Sequence, residues 1–381
     1  MFLILPAVLL VLGLLGFAAS ARAIEVPLIA AVICLALHLM RSRRVGLEMR
    51  SMPSGLTLMV LMFCLPAAAQ VRHARREKTP EATLGATAID DSNQRRIIGS
   101  NAKGSAVVRA QILLDRAHFS CGEIDGNYGS NMEKTVASFQ RARGLPINRV
   151  VGTETWAALN TDTAAALLTY TITQEDVAGP FSPTPAEIME QSKLPYLGYE
   201  SALEGLGEKF HASPILLKEL NPGSSFDKEG ELILVPDVIT ASPGMAASVV
   251  VSKSDSSVTA LDAAGKILSY YVATIGSEHD PLPIGDWKIN GVSHSPIFHF
   301  DPALFWNAHP ADQKAEIQPG PRNPVGVVWI DLSKEHYGIH GTPAPGKVGH
   351  AESHGCIRLT NWDAFELSHM VKNGTPAILQ E

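Results

Sequence analysis

The sequence predicts a multidomain protein: a mainly β C-terminal domain, built as a β-sandwich with one helix, preceded by a small three-helix domain and a βααβ module. Three observations carry this expectation. Apolar residues recur with a helical period between positions 105 and 159, and segments rich in Val, Ile, Tyr and Thr separated by turn signals follow from 247 onward. The length of 381 residues also exceeds one ordinary core, at roughly 100 to 200 residues per domain.

The chain opens with three apolar runs, Met1 to Ala19, Val26 to Met40 and Leu56 to Ala69. The third has the form of a secretory signal, with a short basic start around Arg50, an apolar stretch from Leu56 to Leu65, and Ala67, Ala68 and Ala69 as a small-residue cleavage site. Because a signal peptide is N-terminal, either translation starts at Met49 or Met52, or the first two runs are membrane helices and the third remains as an anchor. Arg41, Arg43, Arg44 and Arg50 keep the preceding loop cytoplasmic, so both alternatives send everything after residue 70 outward. The expected location is the periplasm or cell envelope, with residues 1–69 as signal or inner-membrane anchor. Cys34 and Cys64 fall in this leader, leaving only Cys121 and Cys356 beyond it, so no disulfide framework is expected. The formal charge of -7 shows no basic excess, and nucleic acid is not an expected partner.

Residues 70–103 carry Arg72, Arg75, Arg76, Glu77, Lys78 and Pro80, then Asp90, Asp91, Arg95 and Arg96, without apolar periodicity; they read as a linker with no fold of its own. Residues 104–162 form the helical domain. Val107, Ala110, Leu113 and Leu114 mark one helix, Val136, Phe139 and Ala142 a second, Trp156 and Leu159 a short third. Between the first two, Gly122, Asp125, Gly126, Asn127 and Gly129 are turn formers, with Ser130 or Asn131 expected to cap the next helix. In residues 163–245, "YTIT" and "GELILVP" read as strands bracketing helices at Ala202 to Phe210 and Pro214 to Leu220, with a long Pro-containing insertion from Glu175 to Glu200.

Residues 246–381 are the β domain. "SVVVSK", "SVTALDA", "KILSYYVATIG", "GDWKINGVSH", "NPVGVVWIDL" and "HYGIHG" read as strands, and only Asn361 to Val371 reads as a helix, capped by Thr360 or Asn361 and stopped by Gly374. Between the strands lies "HGTPAPGKVGHAESHGCIRL", residues 340–359, with His340, His350, His354 and Cys356. Three chemistries compete for it. His350 and His354 have the i, i+4 spacing of zinc ligands and Cys356 could add a thiolate, but the surrounding Gly and Pro residues oppose a helix and no Glu completes a zinc-protease pattern. A loop that merely contains histidines beside a buried Cys is the second reading. The third is a cysteine nucleophile, which needs an imidazole within hydrogen-bond reach and backbone N–H groups for an oxyanion. His354, two residues before Cys356, would point the same way on an extended segment. His340 approaches only if the loop folds back, and Gly355 leaves the backbone open where its N–H and that of Cys356 could face an oxyanion. The residues alone favour the nucleophile over the metal.

Three stretches resemble known families. "HYGIHGTPAPGKVGHAESHGCIRLTNWDA", together with "PIGDWKI", "FHFDPALFW" and "GPRNPVGVVWIDL", resembles the L,D-transpeptidases with a YkuD-type catalytic domain. "VRAQILLDRAHFSCGEIDGNYGSNMEKTVASFQRARGLPINRVVGTETWAAL" resembles the type 1 peptidoglycan-binding domain, and "FHASPILLKELN" within its βααβ context resembles a degenerate LysM module. The first resemblance implies that Cys356 is the nucleophile and His340 its base, with the Gly341 backbone holding that ring. His354, Gly355 and Cys356 would then form the oxyanion environment. Arg358 stands where the commonest form of the motif has Asn. It would bind a stem carboxylate or pair with Asp363, and Ser353 and Tyr337 join it as expected substrate-binding residues. Trp329, Trp306, Phe298 and Phe300 either wall the cleft or belong to the core, and His294 and His299 read as structural. The implied activity is 3-3 cross-linking of peptidoglycan stem peptides through a cysteine thioester, with L,D-carboxypeptidase action or a non-catalytic wall-binding scaffold as alternatives. Peptidoglycan stems and glycan are the implied partners, and no metal or organic cofactor is implied.

Overall fold

The polar stretch ahead of residue 104 departs first from expectation. The structure, a computed structural model, describes residues 84–351, 353 and 355–381; the leader, its signal-like third run and residues 70–83 lie outside the described residues. From residue 84 the presumed linker is folded onto the helical domain. It forms a short helix α1 (Ala86–Ile89) whose Ile89 is fully buried, and Ile98 pairs with Val151. Arg109 donates to the Ile89 carbonyl at 3.1 Å and the Trp156 indole to the Arg96 carbonyl at 2.8 Å. Two isolated apolar anchors create no periodicity, yet each fills a core position, while the intervening charges stay outside.

The helical period becomes α2 (Ser105–Arg116), α3 (Ser130–Ala142) and α4 (Thr153–Leu159), with a two-residue strand β1 (Phe119–Ser120) after α2. Their apolar faces meet around Val107, Leu114, Phe139 and Trp156. The N-cap of α3 is Gly129, without a side-chain cap bond, so neither Ser130 nor Asn131 caps it. Asn131 instead sends its amide 2.9 Å to the Val348 carbonyl of the long loop in the β domain.

Next come β2 (Leu167–Thr171), α5 (Gln174–Val177), α6 (Ile188–Gln191), α7 (Ala202–Lys209), α8 (Pro214–Leu220) and β3 (Leu232–Pro236). β2 and β3 pair antiparallel from Leu167 opposite Pro236 to Thr171 opposite Leu232. Ser201 and Ser213 cap α7 and α8 by accepting from Glu204 and Leu216 N–H, which fixes both starts. The insertion after β2 reaches the β domain, where Leu197 is buried with Phe300 and Ile317 and exchanges backbone bonds with Pro319 and Arg322.

The β domain holds β4 (Ser248–Ser252), β5 (Ser257–Leu261), β6 (Ile267–Val272), β7 (Thr274–Ile275), β8 (Gly285–His294), β9 (Phe298–Phe300), β10 (Ala315–Ile317), β11 (Val328–Leu332), β12 (Gly338–His340), β13 (Ile357–Arg358), α9 (Asn361–Met370) and β14 (Pro376–Gln380). Ten strands form one ladder in the order β1-β6-β5-β4-β14-β8-β11-β12-β13-β7. The domain is mostly β, as expected, but its two halves are continuous through the ten-residue β8 rather than two separate sheets. Val249, Val251 and Val258 from one half share a core with Ile330, Ile339 and Ile357 from the other. β14, which the sequence reading did not assign, sits centrally between β4 and β8.

The expected domains share their cores. β1 runs parallel to β6, extending the β-domain sheet with a strand from the helical domain. Tyr270, Val272 and Val348 belong to the helical core, and Val108, Ile112 and Ile124 to that of the βααβ module. Among the described residues no helix is long and apolar enough to cross a membrane.

Candidate active site

Strand register places the chemistry. β12 and β13 run parallel with Ile339 opposite Ile357 and His340 opposite Arg358. The two isoleucines are fully buried in the core. Side chains alternate along a strand, so His340 and Arg358 face the other side, and continuing the alternation one step back places Cys356 there too. The loop does fold back: it leaves at His340 and returns at Cys356 beside the strand it left.

His340 is buried, and its Nδ1 lies 2.6 Å from the Gly341 carbonyl oxygen. A carbonyl only accepts, so the proton sits on Nδ1 and the lone pair of the neutral ring on Nε2. Trp329, opposite His340 in the β11–β12 register, stacks on the imidazole with centroids 5.5 Å apart. The same indole lies across Gly338, where a Cβ would sit 2.5 Å from its ring. Burial, reinforced by the Arg358 guanidinium, pushes the imidazole down to about 3.

Cys356 is partly open to solvent, and its thiol donates to the His336 carbonyl at 3.7 Å. Burial raises its pKa above the ordinary thiol value, with Asp280 adding to the rise and the Gly338 N–H and Arg358 opposing it. Gly355, at φ +94°, needs its glycine twice over: few L-residues adopt that angle, and a Cβ would meet Tyr337 Cε1 at 2.8 Å. Tyr337 therefore covers the backbone that leads into the nucleophile. Cys121, the other described cysteine, is buried in the helical core with its thiol pushed far up by burial, which leaves Cys356 as the accessible thiol among the described residues.

Not every expected site residue lines the cleft. Ser353 is buried and its hydroxyl donates 2.6 Å to the Cys356 carbonyl, while its N–H bonds Gly276; it braces the loop rather than offering a substrate contact. Asp363 accepts from Ser120 of the helical domain, and its N–H is the one that the Thr360 cap receives. Arg358 instead lies in the field of Cys356 and His340. Of the aromatics, Phe298 and Phe300 form a small separate core with Phe305, Trp306 is exposed beside His279, and Trp329 stacks on the His340 ring. His294 packs against Phe365 and His369, and His299 is exposed opposite Glu316. His350 is exposed and outside any helix, unlike the arrangement the zinc reading required; His354 lies outside the described residues.

Sequence reasoning missed two residues. Asp280, in a loop without periodic signal, faces Cys356 and Tyr337, and one of its carboxylate oxygens is buried without a hydrogen bond. Asn361 was read only as a cap candidate. Its Oδ1 accepts from Val327 N–H at 3.2 Å and occupies the space where a Cβ of Gly326 or Gly341 would stand.

Residues 246–379 match the family model described as the YkuD L,D-transpeptidase catalytic domain, and residues 103–159 match one described as "Putative peptidoglycan binding domain". "Putative L,D-transpeptidase YkuD" of Bacillus licheniformis is 55% identical over 58 residues, 15% of this chain and 35% of that protein. "Putative L,D-transpeptidase YqjB" of Bacillus subtilis is 27% identical over 122 residues, 30% of this chain and 61% of that protein. The match to the first of these thus spans about a third of that relative's length. A solved L,D-transpeptidase structure from Xylanimonas cellulosilytica shares 16% identity, covering 75% of this chain and 98% of that one, at a TM-score of 0.32. The chain carries a YkuD-type L,D-transpeptidase catalytic domain over residues 246–379 and, ahead of it, a domain of the peptidoglycan-binding family over residues 103–159.

Proposed function

We propose that the protein is an exported peptidoglycan L,D-transpeptidase that forms 3-3 cross-links through a thioester on Cys356. The observation that carries the reading is the neutral His340, its Nδ1–H tied to the Gly341 carbonyl and its Nε2 unprotonated, on the sheet face shared with a partly exposed cysteine. The thiol gives its proton to Nε2 as sulfur attacks the carbonyl at the L-centre of diaminopimelate in a tetrapeptide stem. Backbone N–H groups around Gly355 and Cys356, with His354 alongside, receive the oxyanion. Collapse expels D-Ala, whose amine takes the proton back from His340, and the side-chain amine of a second stem then resolves the thioester. Water in that role gives L,D-carboxypeptidase action instead.

The other assignments follow from this reading. The helical domain and the βααβ module, the latter read as LysM-like, hold the enzyme on an insoluble polymer and raise the local concentration of stems. Residues 1–69 serve as export signal or membrane anchor. The test incubates the chain from residue 70, wild type and Cys356→Ala, with disaccharide-tetrapeptide and follows protein and muropeptides by mass spectrometry. A thioester adduct and D-Ala release in the wild type alone are expected. Wall binding without adduct or product in the wild type would favour the scaffold alternative and overturn the proposal.

A further inference from the structure

The βααβ module reaches the candidate base through an unbroken set of contacts. Glu208, on α7, accepts from Asn361 Nδ2 at 2.8 Å and 3.1 Å, one bond to each carboxylate oxygen, and from the Tyr199 hydroxyl at 3.2 Å. The Pro321 carbonyl accepts from the same Nδ2 at 3.1 Å. Two acceptors on one side of the amide decide its orientation, because the reverse orientation would set Oδ1 against a carboxylate and a carbonyl. Oδ1 is thereby aimed at Val327 N–H and wedged against the backbones of Gly326 and Gly341. Gly341 is also held by its own N–H, which donates to Val328 at 3.3 Å, and its carbonyl receives the His340 Nδ1–H.

We propose that Glu208 is a positioning residue for His340: by orienting Asn361 it fixes the Gly341 carbonyl that keeps the imidazole in the Nδ1–H tautomer, so the accessory module completes the catalytic site. This rests on the acyl-transfer reading for its consequence in turnover, and on geometry alone for its effect on the ring. Glu208 touches neither the thiol nor the imidazole; it acts through Asn361.

The test uses the whole exported chain, with Glu208→Leu, which cannot accept, and Glu208→Gln, which keeps an acceptor for Asn361. Glu200→Leu is the docking control, because Glu200 ties the same module to Arg322 at 2.7 Å without touching Asn361. Two quantities are read: the kcat and KM of D-Ala release, and the Nδ1–H proton of His340 by nitrogen-edited NMR. Glu208→Leu should lower kcat about tenfold or more at little-changed KM and speed exchange of the imidazole proton, while Glu208→Gln and Glu200→Leu stay within about threefold of wild type. If Glu208→Leu does not fold, as judged by its melting curve, Glu208→Ala is read in its place. Wild-type behaviour of the folded non-accepting variant in both readouts overturns the proposal. So does an equal loss in Glu200→Leu, which would assign the effect to docking. Absence of D-Ala release from the wild type would sink the acyl-transfer reading, and the imidazole proton would still decide this one.

Discussion

His340 and Cys356 are both held uncharged at neutral pH, for one physical reason. His340 is buried and the Cys356 sulfur largely so, and for each the water lost by the charged form outweighs what its neighbours return. The pair is therefore a neutral thiol beside a neutral imidazole, and the proton moves only as a substrate carbonyl arrives. Alkylation of Cys356 by iodoacetamide should consequently rise by roughly tenfold per pH unit from pH ~6 to ~8, following the thiolate fraction, with no inflection at the ordinary imidazole value of about 6.5. A resting thiolate–imidazolium pair would instead give a plateau across that range. Arg358 acts at this scale as well, since its guanidinium favours the thiolate and disfavours the imidazolium. Cys356, His340 and Arg358 are legible in the motif as candidates; the tautomer is not, because it depends on where one carbonyl points.

At the scale of elements, α9 joins the candidate site to the rest of the chain. Thr360 caps it by accepting from Asp363 N–H at 3.1 Å, and the first residue after the cap is Asn361, the wedge between Gly326 and Gly341. Thr360→Ala should cost about 1 kcal/mol of stability, measured by denaturant unfolding, from the lost cap alone. A loss within error of zero would show that the buried cap bond is replaced by another group. This helix and its cap were legible because Thr before Asn-Trp-Asp and Gly at 374 are local signals. β14 and β13 were not: a short strand takes its identity from partners, and theirs lie more than a hundred residues away for β4 with β14 and some eighty away for β7 with β13.

At the largest scale, the described residues gather acids in one cavity. A cavity of about 840 Å³ lies where all three parts meet, lined by Asp115 of the helical domain, Glu208 and His211 of the βααβ module, and Asp363 and Glu366 of α9. Burial, aided by Asp115, pushes Asp363 up to about 8, and burial pushes Glu208 up to about 7 against its bonds to Asn361 and Tyr199. A carboxyl raised in the folded state adds stability that is complete below its unfolded value near 4 and is lost as pH rises through the folded value. His211 has the same sign: burial lowers it, but its bond and attraction to Asp115 together with the charges of Asp363 and Glu366 raise it overall. His340 runs the other way, but its depressed value costs stability only below about 6.5. From pH ~6.5 to ~8 the contributions agree, so the melting temperature should fall as pH rises, and Asp363→Asn should flatten the slope. A melting temperature that climbs over this window would contradict the assignment.

The sequence by itself determined the local and the chemical: helices where apolar residues repeat, strands where β-branched residues cluster, and a candidate thiol, Cys356, with candidate imidazoles at His340, sixteen residues before it, and at His354. These follow from near neighbours in the chain. The tertiary structure decided what depends on distant ones. Ile98 sank the presumed linker into the helical core and Ile89 into the core of the βααβ module, the 175–200 insertion became a strap through Leu197, and Glu208 came to lie on Asn361 across 153 residues of sequence. Each is a single apolar or polar group meeting a partner that has no periodic signature. No window along the chain can hold that information, because the pairing exists only once the sheet has brought β12, β13 and α9 together.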